Sequence, residues 1–217
     1  MPFRKSNYGA FASLKEAFSK LKVNLSFFDF DKNIKCMMIT SAVQNEGKSY
    51  ISAEFAKSLA MGGRRVLLID ADMRNATQHK LFSTGNRMGL SSIIASGLEW
   101  RSFLTKTDLE NLFLITAGKT PPNPTELLAS GQMNTMLQQM RESFDYIIID
   151  VPPIIPVSDA VALSSQVDGV LLVTRSGKTP KQFVIKAKQE LDMANAPLIG
   201  AVLNDVVMQG KDYNYYH

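Results

Sequence analysis

The chain has 217 residues, 45% apolar and 20% charged, with a net charge of +4. That length suits one domain at the large end of a single α/β layer structure, with the composition of an ordinary soluble globular protein. One cysteine (Cys36) and two histidines (His79, His217) exclude an internal disulfide framework, a cysteine zinc site and a histidine-rich metal site. The basic residues are dispersed, in pairs such as Arg64-Arg65 and Lys186 with Lys188, which reads as solvated helix faces and not as a nucleic-acid track. No signal peptide is evident, and no apolar stretch approaches the roughly 20 residues of a membrane helix. The expectation is a cytoplasmic protein that meets a membrane only through a partner.

Apolar residues at Phe11, Leu14, Phe18, Leu21 and Leu25 recur at spacings of three and four and predict an amphipathic helix over 11–27. Ile34 to Thr40 reads as the first strand. Directly after it comes Ser41-Ala42-Val43-Gln44-Asn45-Glu46-Gly47-Lys48-Ser49, which opens a helix over 48–61 that Gly62-Gly63 closes. The spacing is that of a phosphate-gripping loop. Backbone N–H groups face phosphate oxygens, Lys48 neutralises the outer phosphates, and the Ser49 hydroxyl can ligate Mg²⁺. The helix that follows turns its positive end to the same anion. Ala42 stands where the strict motif has glycine.

Val66 to Ile69 is a short, wholly apolar strand running into Asp70-Ala71-Asp72-Met73-Arg74. Leu112 to Thr116, Tyr146 to Ile149, Gly169 to Val173 and Leu198 to Leu203 repeat the pattern, with helices expected over 125–142, 158–166 and 180–194. Alternating strands and helices predict a doubly wound, mostly parallel α/β fold of the phosphate-loop nucleoside triphosphate hydrolase type, with the site at the carboxyl ends of the strands. Tyr146 to Ile149 leads into Asp150-Val151-Pro152-Pro153. Asp70, Asp72 and Asp150 therefore meet Lys48 at one end of the sheet, and a magnesium ion shared with a triphosphate would relieve their repulsion. Asp72 and Asp150, with Ser49, are the candidate ion ligands; Asp70, read as lying at the mouth of the site, is the candidate base. Arg74 has two candidate roles, pairing with one of these three carboxylates or steadying a phosphate, and the sequence does not choose.

Gly118 to Pro124 reads as a stiff loop inside the domain, which spans 1–207. After Asn204 the periodicity stops, and 208–217 reads as a mobile tail. Tyr213, Tyr215 and Tyr216 fall in the last five residues. Ordering aromatics on a fraying end costs entropy, so either they dock on a protein surface or they are presented as phosphoryl acceptors. A phenol of pKa about 10 needs a base to act at neutral pH.

Together these segments resemble the bacterial tyrosine kinases of capsule and exopolysaccharide synthesis, in their stand-alone cytoplasmic form. The likeness lies in Ser41–Ser49, Val66–Arg74, Ile147–Pro153, the distinctive Pro121-Pro122-Asn123-Pro124-Thr125-Glu126-Leu127-Leu128, and the tail tyrosines. The resemblance implies that ATP is held by Gln44, Asn45, Glu46, Gly47, Lys48, Ser49 and Tyr50, with Arg74 nearby and Asn204 at the adenine. It implies Asp72 and Asp150 at Mg²⁺, Asp70 as base, and autophosphorylation at Tyr213, Tyr215 and Tyr216. It further implies a membrane-embedded activator, recruitment to the inner face of the cell membrane, and rings of neighbouring copies joined through a Glu-x-x-Arg-x-x-Arg helix. Here that helix reads Glu16, Ser19 and Lys22, so both guanidinium forks are absent. The loop shows Gln44-Asn45 where the family usually has Pro-Gly.

Two rivals share the nucleotide motifs. A positioning or partitioning ATPase would carry a second lysine where this chain has Val43 and has no use for a tyrosine tail. A nucleotide-gated scaffold without kinase activity is the other. A GTPase lacks support, since Leu203-Asn204-Asp205-Val206-Val207 contains no Asn-Lys-x-Asp guanine reader.

Overall fold

The structure, a computed structural model, describes residues 15–25 and 34–206. Residues 15–25 form helix α1; the ends of the helix expected over 11–27, and the tail with its three tyrosines, lie outside the described residues.

Seven strands form one sheet: β1 (Cys36–Ser41), β2 (Val66–Asp70), β3 (Thr105–Lys106), β4 (Leu112–Ile115), β5 (Tyr146–Asp150), β6 (Gly169–Arg175) and β7 (Leu198–Asn204). Their order is β3-β4-β2-β5-β1-β6-β7, and all neighbours are parallel except β3, which runs antiparallel to β4. The chain winds outward in both directions from β1, which lies between β5 and β6. This is the doubly wound sheet that the strand pattern predicts.

The strands are apolar along their length because both faces are covered. Leu67, Ile69, Ile147 and Ile149 point into one core, and Val66, Leu68 and Ile148, one residue out of phase, into the other. The second core is closed by α1, through Phe18 and Leu25, and by α2 (Lys48–Met61), through Ile51, Phe55 and Leu59. The first is closed by α4 (Leu90–Ser96), α6 (Gly131–Ser143), α7 (Asp159–Leu163) and α8 (Lys181–Met193).

The helix expected over 125–142 is two. α5 (Pro124–Leu128) starts with proline at its first turn, where a missing N–H costs nothing. Ser130 then caps α6, its hydroxyl accepting from the Met133 N–H at 3.2 Å. The stretch 158–166 is likewise α7 followed by a 3₁₀ turn, Ser164–Gln166. α3 (Gln78–Leu81), α4, the 3₁₀ turn Trp100–Phe103 and β3 have no counterpart in the sequence reading, because each is too short to show a period. Among the described residues no helix is long and apolar enough to cross a membrane.

Candidate active site

β2, β5 and β1 are adjacent in the sheet, so the loops leaving their carboxyl ends converge. Asp70 and Asp150 are register partners across β2 and β5, and Ile39 of β1 pairs with Asp150 from the other side. The phosphate loop follows β1 directly. Its shape is set by two left-handed residues, Asn45 (φ 63°) and Gly47 (φ 92°). Gly47 is also constrained sterically: a Cβ there would stand 2.2 Å from the Asn204 amide nitrogen. Ala42 needs no such freedom; it lies buried in the core with an ordinary negative φ, which is why alanine serves in place of glycine.

Lys48 Nζ reaches Asp72 Oδ2 at 2.8 Å, Asp150 Oδ1 at 3.4 Å and the Ser49 hydroxyl at 3.1 Å. Burial by itself would lower the pKa of this ammonium, but the charges of Asp150 and Asp72 outweigh it and hold the pKa above its ordinary value. Lys48 is therefore a permanent cation. A cleft of about 280 Å³ opens in front of it, lined by Gln44, Asn45, Gly47, Lys48, Ser49, Tyr50, Asp72 and Arg74 and walled by Leu81, Pro152, Pro153, Pro156 and Val157.

Asp70 is not at the mouth, and the sequence reading is corrected here. The residue is fully buried. Its Oδ2 accepts the N–H groups of Thr77 and Gln78, each at 2.9 Å, and its Oδ1 accepts that of Asp72 at 3.2 Å. Burial, followed by the charge of Asp150, raises its carboxyl to about 7 despite those amides. Of the two acidic residues in the motif, Asp72 is the one whose side chain lines the cleft.

A profile of the AAA domain family matches residues 37–190. The tyrosine-protein kinase YwqD of Bacillus subtilis is 37% identical over 202 residues, covering 93% of this chain and 85% of that one. The tyrosine-protein kinase CpsD of Streptococcus agalactiae is 37% identical over 203 residues, covering 93% and 88%. The kinase domain of the Escherichia coli tyrosine kinase ETK superposes with a TM-score of 0.88 at 33% identity, covering 97% of this chain and 82% of that one. The chain belongs to the bacterial tyrosine-protein kinases.

In this kinase the fold is a nucleotide-binding one, and its donor set fits a hard divalent cation. Ser49, Asp72 and Asp150 offer oxygen ligands, and all three gather on Lys48. Among the described residues no cluster of three or more acidic, histidine or cysteine side chains is arranged to hold a metal alone. Mg²⁺ takes one or two carboxylates and completes its shell with phosphate oxygens and water.

Arg74 has a partner that the sequence reading did not offer. Its Nε and Nη2 donate to Asp159 of α7 at 2.9 and 3.0 Å, and Nη2 to the Thr125 hydroxyl at 3.3 Å. Its partner is thus a carboxylate, though none of the three at the site. The Thr125 hydroxyl also donates to Asp159, at 2.5 Å, so the distinctive Pro-Pro-Asn-Pro-Thr segment is tied to the acidic motif.

Two other sequence-derived contacts are internal to the kinase. Asn204 donates its amide to the Glu46 carbonyl at 2.9 Å and is not among the cleft's lining residues. The Glu46 side chain, 2% exposed, accepts the Val43 N–H at 2.8 Å and the Thr179 hydroxyl. A carboxylate held this way shapes the loop and turns away from phosphate. Arg175 adds a bond to the Asn45 carbonyl at 3.4 Å. Thr179, Arg175, Asp159 and Gln78 were not legible as site residues, since none of them falls inside a motif.

At α1, Glu16 pairs with Lys20 at 3.0 Å within its own helix, and Lys22 donates to the Ser58 carbonyl of α2 at 3.2 Å. Two of the three positions of the assembly pattern therefore make contacts inside the chain.

Proposed function

We propose that this tyrosine kinase uses Mg·ATP to phosphorylate Tyr213, Tyr215 and Tyr216 on neighbouring copies of itself, and that it serves capsule or exopolysaccharide synthesis. The observation that carries the reading is the pairing of Asp72 and Asp150 with Lys48 at a cleft that Lys48 and Asp72 line. Bound Mg·ATP supplies the γ-phosphoryl group together with the charge neutralisation that its transfer requires. Lys48 and the loop amides hold the phosphates, while Ser49, Asp72 and Asp150 hold the ion. With Asp70 buried, Asp72, which lines the cleft, takes the proton of an incoming phenol in this reading. Tyr50, 43% exposed at the rim, stands beside that approach.

The names of the relatives favour a kinase over a positioning ATPase. Work at the inner face of the membrane with a membrane-embedded activator, and assembly of neighbouring copies, complete the proposal. The test is incubation with γ-labelled ATP and magnesium, with and without a candidate activator, followed by mapping of modified residues. Label on tail tyrosines supports the reading. ATP hydrolysis with no labelled protein under either condition sinks it.

A further inference from the structure

Gln78 opens α3 and is fully buried. Its side-chain Nε2 donates to Asp150 Oδ2 at 2.8 Å and to the Ser49 carbonyl at 2.9 Å. Both partners are acceptors, so the orientation of the amide is forced: a flip would set oxygen against oxygen twice. The backbone N–H of the same residue donates to Asp70. One residue thus touches the acidic end of β2, the acidic end of β5 and the first turn of α2.

The other end of the amide is unsatisfied. Gln78 Oε1 is buried and has no hydrogen-bond partner among the described residues. A buried acceptor left unpaired carries the full cost of its desolvation, so a native protein keeps one for a reason or supplies a donor. Because Oε1 shares a planar group with Nε2, it lies beside the carboxylate of Asp150. The groups around that carboxylate are Asp70 and Asp72, the Ser52 hydroxyl, which lies 3.5 Å from Asp150 Oδ1 but donates to the Lys48 carbonyl at 2.8 Å, and Lys48, whose ammonium is already engaged with Ser49, Asp72 and Asp150. A hydrated divalent cation brings the missing donor, since Mg²⁺ keeps several waters when bound through carboxylates and phosphates.

We propose that Gln78 is a positioning residue for the divalent cation. Its Nε2 fixes Asp150 through Oδ2 and leaves Oδ1 turned to Lys48, and its Oε1 accepts a hydrogen from a water of the cation's shell. This rests on the magnesium-nucleotide reading of the site. Partners of this kind orient metal ligands, and their loss typically costs about 10- to 100-fold in metal affinity or activity.

The test is calorimetric titration of the full chain with ADP, in EDTA and in saturating magnesium. Gln78→Met keeps the volume and removes both polar groups; Gln78→Asn keeps the amide but is too short to reach Ser49 and Asp150 together. In the wild type, magnesium should tighten ADP binding. In Gln78→Met that gain should shrink by about 10- to 100-fold while the affinity in EDTA is unchanged, and Gln78→Asn should fall between. A full magnesium gain in either variant overturns the proposal. So does an equal loss of affinity with and without magnesium, which marks a merely structural role. If Gln78→Met does not melt cooperatively, Gln78→Asn decides by the same criteria. A wild type that binds ADP with no magnesium gain removes the magnesium reading itself and the proposal with it.

Discussion

Asp70 and Asp150 face each other as register partners across the ladder between β2 and β5, both fully buried. Two carboxylates fixed side by side cannot both ionise at ordinary cost, and burial together with the charge of Asp150 raises the Asp70 carboxyl to about 7. An unfolded aspartate titrates near 3.9. Between those two values the folded state binds more protons than the unfolded state, so the Asp70 contribution to stability falls as pH rises and reaches its minimum above about 7. We expect the wild type, free of nucleotide, to lose stability relative to Asp70→Asn as pH rises from about 4 to about 7. Thermal melts of both across that range read the slope alone, so the fixed cost of turning an amide toward the Thr77 and Gln78 N–H groups drops out. A constant difference would show that Asp70 titrates normally.

Lys48 is the cation that makes this acidic cluster tolerable. Lys48→Met should abolish both nucleotide binding and tyrosine labelling. It should also destabilise the protein near neutral pH, because removing one partner of a buried ion pair costs about 3–5 kcal/mol. Labelling at the wild-type rate would end the assignment of the phosphate loop.

Asn45 occupies the left-handed region at φ 63°. Asparagine tolerates that conformation and a β-branched residue does not. Asn45→Gly should leave nucleotide affinity close to wild type. Asn45→Val should cost roughly 1–2 kcal/mol, because a side chain branched at Cβ crowds the backbone there and lacks asparagine's local hydrogen bonding, seen as weaker nucleotide binding by calorimetry. Equal affinities for the two variants would show that the loop does not hold this conformation in solution.

The Arg74–Asp159 pair joins the acidic motif to α7, with Thr125 of α5 bonded to both. Arg74→Ala should cost about 2 kcal/mol in chemical denaturation, the range of hydrogen bonds to a charged group. The same loss of stability should persist when nucleotide is absent, because the partner of Arg74 is a buried carboxylate. A destabilisation seen only in the nucleotide-bound state would instead make Arg74 a phosphate ligand.

Changing Tyr213, Tyr215 and Tyr216 together to Phe should remove most phosphotyrosine while leaving ADP affinity unaltered. Phosphorylation there adds negative charge to a chain with a net charge of +4 and should weaken contact between copies. Size-exclusion chromatography before and after labelling measures that directly. Undiminished phosphotyrosine in the triple variant would place the acceptors elsewhere.

Much of the architecture was legible because its signals are local. Val66–Ile69 and Tyr146–Ile149 are too short and too uniformly apolar for anything but strands buried on both faces, and the structure places them side by side at the centre of the sheet. The break between α5 and α6 was hidden, because an apolar periodicity runs on through Ser130 and only the bond of its hydroxyl to Met133 marks a new start. The misplacement of Asp70 has a similar origin. Asp70-Ala71-Asp72 looks symmetric in sequence, and which carboxylate faces the cleft depends on the path of the chain from 72 to 78.

The sequence alone determined which chemistry is present: a lysine and a serine after the first strand, aspartates ending two others, and a doubly wound order to bring them together. Short-range spacing decides such things, since a strand's period and the spacing of the phosphate loop reach no further than a few residues. The tertiary structure decided the roles. Only packing could bury Asp70, assign Arg74 to Asp159, turn Glu46 toward Thr179 and set Gln78 against Asp150. Burial and the partner across space fix the charge and direction of a side chain, and neither is a property of its neighbours in the chain.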